Sequence, residues 1–155
     1  MSFPLILTQR MIDHPADSHL LDAYESAGGY AVMRKVLGGM TPEQVIEQVK
    51  SANIQGRGGA AFPAGIKWGF LAPTHPRYLV INGDESEPGT FKDRQLLERD
   101  PHQLIEGVII SSFALGVNQA FIYIRGEYPK PARRVQQAVV AAYAKGYLGH
   151  NIMGS

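Results

Sequence analysis

The chain predicts an α/β fold, a helical N-terminal segment followed by a parallel β-α-β unit. Two short apolar runs, Tyr78-Leu79-Val80-Ile81-Asn82 and Ala120-Phe121-Ile122-Tyr123-Ile124, have the β-branched and aromatic content of buried strands. Between them Asp100-Pro101 opens an apolar-periodic segment carrying Leu104, Ile105, Val108, Ile109 and Phe113, which closes at Gly116. Upstream of both strands, residues 18–52 carry helix signals alone. Strand, helix and strand in that order imply parallel pairing through a right-handed crossover. Both strands then end at one edge, which brings Asn82–Glu87 close to Arg125–Glu127.

Taken in order, residues up to about Asp17 mix polar side chains with Pro15 and predict a disordered N-terminus. Ser18–Ala27 predicts a helix with Leu20, Leu21 and Tyr24 on one face, ended by Gly28-Gly29. Tyr30–Leu37 predicts another, ended by Gly38-Gly39. Thr41 is an N-cap with Pro42 at the first helical position and Gln44 completing a capping box, so Thr41–Ser51 is helical. A glycine-rich loop follows, then a short helix over Pro63–Leu71. The first strand leads through an acidic loop towards Asp100. Val135, Val139, Ala142 and Tyr143 mark a last helix stopped by Gly146. Residues 1–52 form the helical segment in this reading, and 53–155 the start of the α/β domain.

Composition sets limits. At 155 residues the chain has one domain's length and can bury a core. An apolar content of 45% and a charged content of 19% are those of a globular protein. Formal net charge is +1, so no nucleic-acid field is implied. The local excess of Arg125, Lys130, Arg133, Arg134 and Lys145 over Glu106 and Glu127 reads as a solvated helix face. No stretch approaches the roughly 20 apolar residues that span a bilayer. Phe3-Pro4-Leu5-Ile6-Leu7 is too short, and lacks the basic lead, for a signal peptide. Cysteine is absent, which removes disulfides and thiolate ligands. The five histidines show no ligand pairing at helical spacing.

Two stretches carry the chemistry. Asn82-Gly83-Asp84-Glu85-Ser86-Glu87-Pro88-Gly89-Thr90-Phe91-Lys92 packs carboxylates, an amide and a hydroxyl into the turn beyond the first strand's carboxyl end. Ligands of open α/β sheets bind at that edge. Ionised carboxylates are pure acceptors and suit a ligand rich in hydroxyls and amides. The same loop also reads as an acidic turn at Pro88-Gly89 or as a Mg²⁺ site. Gly56-Arg57-Gly58-Gly59-Ala60-Ala61-Phe62-Pro63-Ala64-Gly65-Ile66-Lys67-Trp68 is the second stretch. It matches G-x-G-x-x-G/A formally, but a dinucleotide fingerprint follows a strand, and this loop follows a helix. What it offers is close backbone approach and amides able to line an anion. A flexible linker is the other reading, although Phe62, Pro63 and Trp68 are unlike one.

Together, G-R-G-G-A-x-F-P-x-G-x-K-W and N-x-D-E-S-E-P-G-T-F-K-D-R resemble the family of NADH-binding flavoprotein subunits of respiratory complex I. NAD-linked hydrogenases and formate dehydrogenases share that module. Gly28-Gly29-Tyr30, Arg125-Gly126-Glu127-Tyr128 and Gly149-His150-Asn151-Ile152-Met153-Gly154 fit it too, so the resemblance runs from about Leu20 to the last residue.

The resemblance implies a Rossmann-like flavin-binding domain and hydride transfer from NADH to FMN, with electrons passed to iron–sulfur clusters. It places FMN against Gly56, Arg57, Gly58 and Gly59, with Lys67, Asn82, Asp84, Glu85 and Ser86 around it. It places NADH at Glu87, with Phe62 and Phe70 as flat surfaces for the adenine; such stacking contributes about 1–3 kcal/mol per base. Trp68 reads as packing. The cofactors carry the chemistry, so no catalytic side chain and no metal site are expected. The implied partners are the iron–sulfur subunits of the peripheral arm, with no nucleic acid and no direct membrane insertion. The implied location is the cytoplasmic face of the plasma membrane, or the matrix side in mitochondria. The family's [4Fe-4S] ligands have no counterpart in a cysteine-free chain. The chain therefore reads as an N-terminal fragment, inactive alone, whose pocket is closed by residues beyond Ser155. A non-catalytic docking module is the alternative. Two departures stand out: Ala61 replaces a usual glycine, and Gly83 a common alanine, a change that reads as mild.

Overall fold

A computed structural model of the chain describes residues 5–154. Its elements are α1 (Gln9–Asp13), α2 (Leu21–Ser26), α3 (Ala31–Gly39), α4 (Pro42–Ser51), α5 (Ala64–Trp68), β1 (Tyr78–Gly83), α6 (Lys92–Arg99), α7 (Pro101–Leu115), β2 (Gln119–Ile124) and α8 (Pro129–Ala144). The architecture is α/β. β1 and β2 pair in parallel, from Tyr78 opposite Gln119 to Gly83 opposite Ile124, with α7 in the crossover. Both strands deliver their carboxyl ends to the same edge, as the sequence predicts.

Local signals account for several boundaries. Thr41 Oγ1 accepts from the Gln44 amide at 3.3 Å, and Gln44 Oε1 accepts from the Thr41 amide at 2.9 Å, which closes the capping box. Gly116, at φ +62°, ends α7 in the left-handed conformation that glycine adopts freely. Gly38-Gly39, in contrast, lie inside α3 rather than ending it. Neither glycine has a positive φ; the chain turns extended at Met40 and Thr41, ahead of Pro42.

Packing joins the N-terminal segment to the α/β unit. Tyr24, Tyr30 and Met33 share a buried cluster with Ile105 and Ile109 of α7, Ala138 and Ala142 of α8, and Tyr147. Val36, Val45 and Ala114 form a second cluster, against which Trp68 packs. Glu106 fastens the join. Its carboxylate accepts from the backbone amides of Tyr30 and Met33, both at 2.9 Å, and from the Tyr24 hydroxyl. Tyr30 begins α3 from the left-handed region and has no capping oxygen in reach, so a carboxylate from α7 satisfies the orphan amides.

The expected disorder up to Asp17 is corrected over residues 5–17. Arg10 on α1 donates to Asp100 Oδ2 from Nε at 3.0 Å and Nη2 at 2.8 Å, and its guanidinium lies 4.2 Å from the centre of the Tyr24 ring. Met11 is buried with it. Asp100 therefore spends its carboxylate on α1 and makes no side-chain cap on α7. Phe3 and Pro4 lie outside the described residues. Helix α6 had no clear sequence signal, because Leu96 and Leu97 are adjacent and the other residues are polar. Leu97 alone is buried, and α6 packs on α7 and α8.

Candidate functional site: a cleft between the glycine and acidic loops

The glycine loop is a closed excursion. Gln55 bridges Pro63, the Gly56 amide donates to the Phe62 carbonyl at 2.9 Å, and the Ala64 amide to the Ile54 carbonyl at 2.7 Å. The tip between those stem bonds is held at a fixed base, which a linker lacks. Gly65 seats the loop on α4: a Cβ there would lie 2.8 Å from the Lys50 nitrogen and 2.9 Å from its Cα. At the tip the space is open. A Cβ on Gly58 or Gly59 meets nothing within 4 Å, and Gly59 sits at φ +113°. Ala61 is held at φ +51°, a left-handed conformation that suits the glycine it replaces.

The acidic loop is folded by its own polar groups. Asn82 Oδ1 accepts from the Asp84 amide at 2.9 Å, which leaves the Asn82 amide group as a free donor. The Thr90 amide and hydroxyl both donate to the Glu87 carbonyl, at 3.2 and 2.6 Å, around Gly89 at φ +81°. Glu85 turns inward, accepting from the Asp93 and Arg94 amides at 3.0 and 3.1 Å. Burial works against its charge, yet those amides, Lys92 and Tyr128 outweigh it and hold the carboxyl below the ordinary range. Arg125 Nη1 donates to the Glu85 carbonyl at 2.7 Å, so the ends of the two strands meet as predicted. Arg125 also pairs with Glu127 at 3.0 Å, which raises the arginine's pKa and lowers the glutamate's. Gly83 is tighter than expected: a Cβ there would lie 2.8 Å from the Tyr123 carbonyl oxygen, so the change from alanine is not mild in this structure.

Arg57, Gly58 and Gly59 face Asn82, Asp84, Glu85 and Glu87 across a cleft of about 500 Å³ that Thr90, Lys92 and Asp93 also line. That volume falls within the range of small-molecule sites, about 300–1,000 Å³. Arg57 makes no ion pair among the described residues, whereas Lys92 Nζ lies 2.6 Å from Asp93 Oδ2. The cleft thus has a free cation on one lip and exposed carboxylates opposite.

The other site residues suggested by the sequence lie around it. Gly56 belongs to the loop's stem, Ser86 is exposed on the acidic loop, and Lys67 is exposed on α5. Phe62 and Phe70 are 45% and 72% exposed with ring centres 6.0 Å apart, a paired apolar surface beside the glycine loop rather than inside the cleft. Thr90, Lys92 and Asp93 were not singled out as site residues, although they stand in the same motif. Their signal was the helix start at Lys92, which the sequence did not announce. Among the described residues, no group of three or more His, Asp or Glu side chains is placed to hold a metal ion.

Comparison with known proteins gives this geometry its context. The Nuo51 FMN-binding domain matches residues 49–153. An NADH-quinone oxidoreductase subunit of Rhizobium meliloti is 53% identical over 154 residues, covering 98% of this chain and 36% of that protein. The NADH-quinone oxidoreductase subunit of the same name in Aquifex aeolicus is 54% identical over 138 residues, 88% of this chain and 32% of its own length. The chain thus spans about a third of the length of these relatives. Among solved structures, an NAD⁺-reducing [NiFe]-hydrogenase in the air-oxidized state superposes with a TM-score of 0.61 at 40% identity, over 67% of this chain and 19% of that one. With both loops inside the matched region and folded onto one cleft, the chain belongs to the Nuo51 FMN-binding domain family.

Proposed function

We propose that this chain provides the flavin- and NADH-facing surface of an electron-input oxidoreductase, the NADH dehydrogenase module of NADH-quinone oxidoreductase. The observation that carries this reading is the cleft itself, with open glycine backbone on one wall and unspent polar groups on the other, at the carboxyl edge of a parallel sheet. Residues 53–155 carry that surface, and residues 1–52 brace it through the shared core.

The residues present fit FMN. Gly58 and Gly59 leave room for a flat ring to approach the backbone. The free amide of Asn82 donates to a ring carbonyl, and Asp84 accepts from a hydroxyl. Arg57 and Lys67 offer positive charge to an anionic group, while Gly56, Glu85 and Ser86 shape the two loops. When bound, FMN supplies hydride acceptance and onward single-electron release. Glu87, exposed at the far end of the acidic loop, accepts from the amide or ribose of NADH, and the Phe62–Phe70 pair gives its adenine a surface to stack on. The chain's task is orientation, which requires no proton relay from its side chains.

With no cysteine, this chain cannot supply thiolates to an iron–sulfur cluster, so electrons leave through partner subunits that hold one. Among the described residues no helix is long and apolar enough to cross a membrane. Attachment to a membrane complex, on the cytoplasmic or matrix side, then runs through those partners. The likeness to the NAD⁺-reducing hydrogenase favours one second reading, the same module serving a hydrogenase or formate dehydrogenase. A titration of FMN with the chain, followed by flavin fluorescence, tests the proposal. Saturable quenching supports it, and no quenching at millimolar chain leaves the docking-module reading in its place.

A further inference from the structure

Four polar side chains follow Asn82 and Gly83 in the acidic loop, and the structure treats one of them differently. Asp84, Ser86 and Glu87 are exposed, whereas the Glu85 side chain is 2% exposed. Both of its carboxylate oxygens are spent. Oε1 accepts from the Asp93 amide at 3.0 Å and lies 3.8 Å from Lys92 Nζ. Oε2 accepts from the Arg94 amide at 3.1 Å and from the Tyr128 hydroxyl at 3.4 Å. The carbonyl of the same residue accepts from Arg125 Nη1 at 2.7 Å and from the Tyr128 hydroxyl at 3.3 Å. Glu85 therefore ties together the exit of β1, the first turn of α6 and the turn from β2 into α8.

We propose that Glu85 is the positioning residue of the cleft, anchoring the acidic loop so that Asn82, Asp84 and Glu87 present their polar groups to the ligand without Glu85 bonding it. The proposal rests on the flavin reading of the cleft. Its physical basis is the strength of the anchor. α6 has no side-chain cap of its own, since Phe91 stands at its N-cap. A carboxylate bound to two first-turn amides satisfies orphan donors and complements the positive end of the helix. Such charge-assisted bonds are roughly twice as strong as neutral ones. A strand-end loop without that tie would sample many arrangements, and the ligand would have to restore one of them on binding.

The test combines ¹⁵N–¹H spectra of the ligand-free chain with FMN titration, for Glu85→Gln and for Tyr128→Phe. Glutamine keeps the shape but opposes its NH₂ to one of the α6 amides. The Asp93 and Arg94 amide signals should move in Glu85→Gln, and signals of Asn82–Glu87 should broaden or double. FMN affinity should then fall about tenfold, the usual consequence of losing a hydrogen bond to a charged group. Tyr128→Phe keeps the carboxylate, gives a smaller loss of the same kind, and serves if Glu85→Gln fails to fold. Lost affinity with unchanged ligand-free loop signals would make Glu85 a direct ligand and overturn the proposal. A lowered melting temperature with loop signals and FMN affinity both unchanged would also overturn it, reducing Glu85 to general stability. Should the unaltered chain show no response to FMN, the functional reading fails, and unchanged Asn82–Glu87 signals in ligand-free Glu85→Gln would separately refute the anchor.

Discussion

Replacing Gly58 by valine separates the fold from the site. Gly58 is exposed, its φ is not in the left-handed region, and a Cβ there meets nothing within 4 Å. The folded chain should accept the substitution within about 0.5 kcal/mol, the usual range for a surface change that breaks no special feature. The ligand should not. A ring packed on bare backbone sits about 3.5–4.0 Å away, and each heavy-atom contact contributes roughly 0.1–0.2 kcal/mol. Valine fills that layer, so losing on the order of ten to twenty contacts costs about 2 kcal/mol, or roughly thirtyfold in affinity. Flavin fluorescence titration reads the affinity, and thermal unfolding reads the fold. Gly59→Val is the control: at φ +113° it should strain the backbone and lower the melting temperature as well. Unchanged FMN affinity in a well-folded Gly58→Val variant would remove the glycine loop from the site.

The remaining predictions concern single residues. Glu87→Gln keeps the shape and removes the charge, so NADH affinity should drop about fivefold while FMN affinity holds; equal loss of both would withdraw the assignment of Glu87 to NADH. Ala61→Gly should raise stability by about 0.5–1 kcal/mol, because relief of left-handed strain, roughly 1–2 kcal/mol, exceeds the added unfolded-state entropy of about 0.4–1; urea unfolding with no gain would contradict the strain. Burial lowers the His102 pKa to about 4, with its Nδ1 2.8 Å from the Tyr30 hydroxyl. Its stabilising effect is complete above the ordinary histidine pKa and is lost as pH falls towards 4, because the unfolded chain takes up the proton first. Unfolding free energy should therefore fall by about 2 kcal/mol between pH 7 and 5, and His102→Gln should flatten that slope. An unaltered slope in His102→Gln would place the titration elsewhere.

What could be read from the sequence was what local chemistry decides. Thr41 and Gln44 cap α4 through groups three residues apart, and Gly116 stops α7 by its own backbone freedom. The parallel pair followed from element order, and the meeting of Arg125 with the acidic loop followed from the pair. What stayed hidden depends on partners distant in the chain. Nothing near Tyr30 announces that Glu106 will cap α3, and Asp100 reads as a helix cap until Arg10 arrives from α1. Within the acidic loop, Glu85 and Glu87 are chemically identical, so only the placement of α6 tells the anchor from the exposed acceptor. α6 itself escaped notice because its one buried leucine gives no periodic pattern.

The central claim is that the cleft between the two loops receives FMN, and amide chemical-shift mapping tests it even when binding is weak. With FMN added to the ¹⁵N-labelled chain, shifts should concentrate at Arg57–Gly59 and Asn82–Asp93, leaving the outward face of the sheet at Val80 and Phe121 unmoved. No shifts at millimolar FMN, or shifts centred away from those two loops, would contradict the account.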